Sequence, residues 1–154
     1  MFHKKEKFMY LRIVCTLILL IVTLSGYTWE GKTHGVYAED AVTLYNRGLD
    51  WHKKGDYDMA IADFTKVIEI TPRHAEAYTA RGTAWRKKKD FDRAIADYNK
   101  SVDINPRYSL AYYGLWLAWN KKGDPDKAIA ALKKGARIGD TYAQDILQAK
   151  GITW

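Results

Sequence analysis

The chain of 154 residues is 47% hydrophobic and 28% charged, which is typical of a globular domain and leaves room for about one compact unit. Its single cysteine, Cys15, excludes an intramolecular disulfide and a thiolate metal cluster. The formal net charge of +7 favours acidic partners, nucleic acid or anionic lipid without deciding among them.

Residues 1–38 are predicted to be a signal peptide or an N-terminal membrane anchor, followed by a linker. Basic residues up to Arg12 precede an uncharged apolar run, which is the pattern of a secretory signal peptide with a cleavage site after Ala38. Extension of the run to Trp29 gives the alternative, an uncleaved anchor. Positive charges stay in the cytoplasm, so both interpretations make the remainder exported, periplasmic or membrane-anchored outside the cytoplasm.

The rest of the sequence repeats with a period of 34 residues. That offset aligns three tryptophans, three aspartates and three Ala-Ile pairs, which are Trp51, Trp85 and Trp119; Asp56, Asp90 and Asp124; and Ala60-Ile61, Ala94-Ile95 and Ala128-Ile129. No short-range compositional bias produces this agreement. The sequence therefore predicts three structural units, over 41–74, 75–108 and 109–142.

Each unit contains two stretches in which apolar residues recur at helical spacing, so two helices per unit are predicted. Gly55 and Gly123 suit the left-handed residue that ends a helix, and the aligned aspartates suit the N-cap of the next one. The predicted helices are about 41–54, 57–70, 75–88, 91–104, 109–122 and 125–138, with a seventh at about 141–150.

The units resemble the tetratricopeptide repeat (TPR), which has Gly at position 8, aromatic residues at 11 and 24, small residues at 20 and 27, and Pro at 32. The first two units match this pattern at Leu44, Arg47, Gly48, Trp51, Ala60, Phe64, Val67 and Pro72, and at Tyr78, Arg81, Gly82, Trp85, Ala94, Tyr98, Ser101 and Pro106. The resemblance implies an all-α fold, an α-solenoid of helix-turn-helix TPR units forming a right-handed superhelix.

The third unit diverges from the repeat pattern. Trp116 replaces the glycine at position 8, so it is expected to push the two helices apart or to turn outward. Asp140 replaces the proline, so a turn can lead into a C-terminal capping helix and tail over 143–154. The three repeated tryptophans are predicted to lie in the hairpin cores.

The resemblance also implies where a partner binds, because the first helix of each TPR unit lines the concave face. A partner protein or peptide segment is expected to contact Tyr45, Leu49, His52, Lys53, Thr79, Thr83, Arg86, Lys87, Tyr113, Leu117, Asn120 and Lys121. Large apolar side chains dominate interface energies, so Tyr45, Leu49, Tyr113 and Leu117 are the expected anchors. The alternative for the two tyrosines is that each only shields a neighbouring helix.

Some TPR proteins hold a C-terminal carboxylate with Lys, Asn and Arg side chains of the groove. The corresponding positions here are Tyr45, Leu49, Ala80, Leu110 and Gly114, none of which can hold a carboxylate in that way. Engagement of an extended or helical segment through apolar contacts is therefore the favoured interpretation.

A basic row recurs at the ends of the first helices, at His52-Lys53-Lys54, Arg86-Lys87-Lys88-Lys89 and Lys121-Lys122. It suits an acidic peptide or lipid headgroups. The favoured alternative is structural, because cations at a helix C-terminus complement the helix dipole.

No catalytic chemistry is expected. The sequence lacks zinc-binding spacings, a glycine-rich phosphate loop and a nucleophile elbow, so we predict no enzyme activity, cofactor or metal, and no nucleic-acid partner. Asp63 and Asp97 share a phase on the second helices and are predicted to face solvent.

The leading functional interpretation is a protein-protein interaction scaffold outside the cytoplasm, which contacts the membrane through its N-terminal segment. The alternatives are a self-associating structural module, which would use exposed Trp116 and Trp154, and a lipid- or polyanion-binding accessory, which would use the basic row.

Overall fold

The computed structural model describes residues 40–154, and the predicted signal peptide or anchor over 1–38 lies outside this range. The described range contains seven α-helices and no strand. They are α1 (Ala41–Lys54), α2 (Tyr57–Ile70), α3 (Ala75–Lys87), α4 (Phe91–Ile104), α5 (Ser109–Lys122), α6 (Pro125–Arg137) and α7 (Thr141–Ala149). None of these seven is long and apolar enough to cross a membrane.

The helices pack in chain order as three hairpins, α1–α2, α3–α4 and α5–α6, with α7 against α6. The sequence predicted every helix, and three ends, those of α3, α6 and α7, come one residue earlier than expected. This arrangement of successive helix-turn-helix pairs is the α-solenoid that the 34-residue period predicts.

Aspartate caps explain where the second helix of each hairpin begins. The carboxylates of Asp56, Asp90 and Asp124 accept hydrogen bonds from the backbone N–H three residues later, at 3.2, 3.1 and 3.1 Å. Each bond satisfies a donor that has no partner within the helix. Gly55 and Gly123, which end α1 and α5, have φ of 85° and 86° as predicted.

The second hairpin makes the same turn without glycine. Lys89 occupies the position of Gly55 and Gly123 and has a φ of 65°. It is the single non-glycine residue of positive φ within residues 40–154. A side chain in the left-handed region costs about 1 kcal/mol, because its Cβ crowds the following carbonyl oxygen.

The glycines at position 8 allow the two helices of a hairpin to approach closely. A Cβ on Gly48 would lie 2.7 Å from the ring of Phe64, and one on Gly82 would lie 3.1 Å from the backbone oxygen of Ala94. Trp116 occupies this position in the third hairpin. It is partly buried and packs against two clusters of buried residues, one shared by the second and third hairpins and one shared by α6 and α7. Of the two outcomes expected for Trp116, it therefore does not turn outward.

Each repeated tryptophan packs against a core cluster but is only partly buried, so the prediction that the three rings lie in the hairpin cores is confirmed in part. A cation lies over each ring: Lys54 over Trp51 at 4.7 Å, Arg93 over Trp85 at 4.4 Å and Lys127 over Trp119 at 4.5 Å. The rings therefore pack inward on one side and meet a charged side chain on the other, which is a favourable arrangement for an aromatic face.

The prediction that Asp63 and Asp97 face solvent is wrong, since they are only 2% and 6% exposed. Arg47 donates from Nε and Nη2 to the two carboxylate oxygens of Asp63, both at 2.7 Å. Arg81 makes the same fork to Asp97 at 2.9 and 2.7 Å. The hydrogen bonds to Asp97 raise the pKa of Arg81. These two ion pairs join the first and second helices of their hairpins, and they satisfy the buried charges.

The third hairpin replaces this ion pair with apolar residues. Leu115 and Ala131 occupy the arginine and aspartate positions, and both belong to the hydrophobic cluster of that hairpin. A cavity of about 160 Å³ lies beside them and also reaches Asn99 and Trp119.

The last helix closes the end of the stack. Ala143 and Leu147 of α7 are buried against Leu132 and Ala136 of α6. Asp140 caps α7 by accepting from the backbone N–H of Tyr142 and Ala143 at 3.0 and 3.3 Å. This is the capping role that the missing proline of the third unit predicts.

Candidate functional site

An open cavity of about 200 Å³ lies between the first helices of the first two hairpins and the start of α5. Its walls are mainly apolar and aromatic. The lining residues are Tyr45, Leu49, His52, Phe64, Glu76, Thr79, Ala80, Thr83, Tyr108 and Leu110. A concave apolar site with a few polar groups is the usual form of a ligand-binding surface.

Five of the predicted groove residues line this cavity together, namely Tyr45, Leu49, His52, Thr79 and Thr83. Thr79 forms part of the floor, where its hydroxyl donates to Ser101 Oγ at 2.8 Å, and Ser101 donates to the carbonyl of Ala75 at 2.8 Å. The hydroxyl groups of Thr79 and Ser101 therefore have hydrogen-bond partners within the protein. Their role in binding stays a prediction.

Tyr45 is held in the cavity wall by two ring contacts. Its ring stacks on His74 with centroids 5.2 Å apart and lies 5.6 Å from the ring of Phe64. His74 is itself fixed, because its Nδ1 accepts from the backbone N–H of Ala77 at 3.2 Å and so caps α3. Burial, with the nearby charge of Glu76, raises the pKa of Tyr45. Tyr45 therefore both supports its neighbours and presents an immobilised face to the cavity.

The predicted anchors of the third unit lie elsewhere. Neither Tyr113 nor Leu117 lines the cavity. The ring of Tyr113 packs on Trp116 at 5.3 Å and on the edge of Tyr142 of α7 at 5.2 Å. These contacts favour the alternative left open by the sequence, in which this tyrosine shields a neighbouring helix.

Phe64 and Tyr108 line the cavity but were not among the predicted groove residues. The sequence matched Phe64 only to the aromatic position 24 of the repeat, and the absence of a side chain on Gly48 leaves room for its ring. Tyr108 precedes α5 at the position that His74 holds before α3, so the repeat phase carried the signal for it. Burial, followed by the proximity of Tyr45 and Glu76, raises the pKa of Tyr108.

His52 lies at one end of the cavity, close to two cations that do not line it, Arg86 and Lys87. Burial together with the charges of Lys87 and Arg86 lowers the pKa of His52. Its Nε2 and the Nε of Arg86 are shielded from solvent and have no hydrogen-bond partner within the described chain. Next to them, the hydroxyl groups of Thr83 and Tyr98 lie 3.1 Å apart.

The predicted basic row is partly structural. Lys88 of the second hairpin forms an ion pair with Asp58 of the first, and Lys122 of the third forms one with Asp92 of the second. Both lysines also lie over the tryptophan of their own hairpin, at 5.9 and 5.4 Å from the ring centroids. These contacts support the structural interpretation for the two lysines.

The remaining predicted contact residues do not line the cavity; they are Lys53, Arg86, Lys87, Asn120 and Lys121. Arg86 is partly buried and the other four are exposed.

The sequence profile described as "Tetratricopeptide repeat" matches residues 41–74 and 75–108, which are the first two hairpins. The divergent third hairpin lies outside this match. No curated protein sequence is significantly similar to the chain.

Solved structures with the same fold include three TPR-like chains. "First TPR of Spaghetti (RPAP3) bound to HSP90 peptide SRMEEVD" is 26% identical with a TM-score of 0.66, and the match covers 74% of this chain and 94% of that one. The yeast structure "TPR2B-domain:pHsp70-complex of yeast Sti1" is 24% identical with a TM-score of 0.64, covering 71% and 88%. "Crystal structure of MamA" is 27% identical with a TM-score of 0.63, covering 73% and 70%.

Three findings agree on the type of repeat. Two repeats match the sequence profile, the helical hairpins are stacked, and solved structures share this architecture over about three-quarters of the chain. Residues 41–74 and 75–108 are tetratricopeptide repeats, and they lie in a helical stack of the TPR type.

Proposed function

We propose that this protein is an interaction scaffold that binds an extended segment of another polypeptide, with an apolar side chain of that segment inserted between Tyr45, Leu49 and Leu110. The observation that carries this proposal is the open apolar cavity at the junction of the three hairpins. Leu110 is 57% exposed at its edge, so occupancy would remove apolar surface from water. The walls are preformed, and little ordering entropy is lost on binding.

The relatives support the same class of partner. The RPAP3 repeat, at 26% identity, is described in complex with a short peptide, so this hairpin stack accommodates a peptide in that protein. TPR units generally serve as non-catalytic interaction surfaces, and the proposed role of this chain is likewise binding and not catalysis.

A matched pair of substitutions tests the site. Leu110→Glu places a charge at the cavity edge, whereas Ile70→Glu places one on α2 outside the cavity, at a residue that is similarly exposed, 54% against 57%. Heptapeptides displayed on phage would be selected on the immobilised full chain, and the enriched peptides titrated by fluorescence anisotropy. We expect Leu110→Glu to weaken binding at least about tenfold and Ile70→Glu to leave it within about twofold.

Two results would reject the site. Peptides captured equally well by the wild-type chain and by Leu110→Glu would show that the cavity is not used. Failure of the wild-type chain to enrich any peptide above the Leu110→Glu background would reject peptide binding in this cavity altogether.

We propose further that the hairpins work outside the cytoplasm. The basic residues and apolar run before residue 25 support this location. Alkaline phosphatase fused after Trp154 of the full chain should be active in bacterial cells, since that enzyme matures only after export. Removal of residues 2–24 should abolish the activity, and a fusion that is equally active without them would contradict the proposed location.

A further inference from the structure

We propose that the chain has a second binding site, which takes a small monocarboxylate whose apolar part is about the size of a benzene ring. The site is the open cavity of about 160 Å³ between the second and third hairpins, lined by residues of α4, α5 and α6. It shares no lining residue with the cavity that is proposed to bind peptide. An engineered protein cavity of about 150 Å³ holds benzene, so the volume suits one ring.

The third hairpin lacks the two charged side chains that occupy this region in the second hairpin. Arg81 donates to Asp97 at 2.9 and 2.7 Å and to Thr65 of the first hairpin at 3.1 Å. Its guanidinium therefore spans the junction of those two hairpins. Leu115 and Ala131 hold the equivalent positions at the next junction, where the shorter side chains leave the cavity.

The floor of the cavity is apolar. Leu115 and Ala131 are only 5% and 6% exposed, and the partly buried Trp119 also lines the cavity. A ring that covers these residues would remove apolar surface from water, on walls that core packing already holds in place. The floor therefore favours an apolar group of ring size.

The rim of the cavity carries positive charge without a matching carboxylate. Lys127 and Lys134 line the cavity, and no acidic residue of the described chain lines it with them. Lys127 is already engaged, because its Nζ lies 2.7 Å from Asp124 and 4.5 Å from the ring centroid of Trp119. The ammonium group of Lys134 has no ion pair or hydrogen bond within residues 40–154. It is therefore the charge that an arriving anion would meet.

Asn99 of α4 adds a neutral donor to the lining. Its amide group can donate to one oxygen of a carboxylate while the ammonium of Lys134 pairs with the other. One uncompensated cation and one amide match a single negative charge. This set of donors favours a monocarboxylate over a phosphate ester, whose second charge would have no partner.

Fluorine NMR on the full chain tests the site, with 4-fluorophenylacetate as the probe and 4-fluorophenylacetamide as its uncharged analogue. We expect the acid to bind with a Kd of about 1 mM, as suits a ligand of this size. The acid should bind about threefold more tightly than the amide. The ratio is modest because Lys134 is exposed and water screens its charge.

A matched pair of substitutions tests the charged half of the site. Lys134→Gln should reduce the preference for the acid to less than about 1.5-fold, because it removes the proposed partner. Lys100→Gln is the control, since Lys100 holds the equivalent position of the second hairpin, is also exposed and does not line the cavity. This variant should keep the preference of the wild-type chain.

Ala131→Leu tests the apolar half of the site. The added carbon atoms would occupy the floor, so we expect both the acid and the amide to bind at least about fivefold more weakly. Thermal unfolding followed by circular dichroism would show whether this variant folds. Lys134→Gln changes an exposed residue, so it tests the proposal independently of the packing at Ala131.

Three results would overturn the proposal. They are a fluorine signal that does not shift with protein at about 10 mM probe, an acid preference that persists on Lys134→Gln, and binding that Ala131→Leu leaves unchanged.

Leu110→Glu separates the two cavities. It alters only the peptide cavity, so it should leave the affinity for the acid unchanged. Loss of acid binding on this variant would place the probe in the peptide cavity and overturn the second site. Selected peptides that lose affinity on Ala131→Leu but not on Leu110→Glu would overturn it as well, in favour of a peptide occupant.

Discussion

In the first two hairpins an arginine of the first helix and an aspartate of the second form a buried ion pair, whereas the third hairpin has Leu115 and Ala131 at the same two positions. Both arrangements hold two helices together. A buried pair gains from Coulomb attraction and hydrogen bonds but loses hydration, so an apolar replacement is often neutral, while a single broken partner is costly. The comparison teaches that the fold requires matched partners at this site, and not charge as such.

The largest expected effect comes from breaking one pair. Asp97→Ala leaves the guanidinium of Arg81 without its carboxylate, and we expect it to lower the free energy of unfolding by about 3 kcal/mol, measured with urea on the full chain. Asp103→Ala, at an exposed residue of the same helix, should change it by less than about 0.5 kcal/mol.

The comparison can be tested further by placing the apolar residues of the third hairpin at the equivalent positions of the second. Arg81→Leu combined with Asp97→Ala should recover most of the loss caused by Asp97→Ala alone. If the double variant loses as much free energy of unfolding as the two single substitutions added together, the ion pair itself, and not matched partners, is required.

A smaller effect is expected from the reverse exchange. Ala131→Asp buries a carboxylate without the arginine that pairs with it in the first two hairpins, and only the flexible side chains of Lys127 and Lys134 line the same cavity. We therefore expect a loss of about 2 kcal/mol in the free energy of unfolding. Added Leu115→Arg would place a guanidinium near the cavity of about 160 Å³ beside Asn99. Asn99 occupies the position of Thr65 in the preceding repeat, and Thr65 accepts a hydrogen bond from Arg81 at 3.1 Å. The new guanidinium could therefore donate to Asn99 as Arg81 donates to Thr65.

Urea unfolding of the two single variants and the double variant gives the coupling energy, which we expect to be about 2 kcal/mol in favour of the pair. Additive losses, within about 0.5 kcal/mol, would show that the third hairpin cannot accept the chemistry of the other two.

The turns between paired helices offer the smallest test, because here the second hairpin differs from the first and third. Lys89→Gly should raise the free energy of unfolding by about 1 kcal/mol, since glycine adopts the positive φ without strain. Lys89→Ala removes the charge but keeps the strained conformation, so it should leave stability almost unchanged. Equal stabilisation by both would instead assign the effect to the charge.

The sequence predicted the helices closely because their determinants are local. Apolar spacing, the aspartate caps at Asp56, Asp90 and Asp124, and the glycines at positive φ all act within a few residues. The 34-residue period then predicted the stacking, since each hairpin exposes an apolar face that only another hairpin or a cap can cover.

The candidate site was predicted only in part. The repeat phase placed Tyr45 and Leu49 beside Thr79 and Thr83, and the four residues line one cavity because they occupy equivalent faces of consecutive helices. Their role in binding stays a prediction. It placed Tyr113 on the same face, but the packing of α7 engages that ring, which no repeat pattern encodes.

Exposed Trp116 was one support for the self-associating alternative. It is partly buried between the third hairpin and α7, so that support is removed. Trp154 is exposed, and self-association through it stays a prediction.

By itself the sequence determined which segments are helical, where they turn, and that they recur as TPR hairpins, because these features depend on neighbours along the chain. Tertiary structure decided the role of each recurring polar residue. Periodicity shows that Asp63 and Asp97 have equivalent environments, yet only the approach of Arg47 and Arg81 from the facing helix makes those environments buried. Likewise, the cavity exists only where side chains from different hairpins meet.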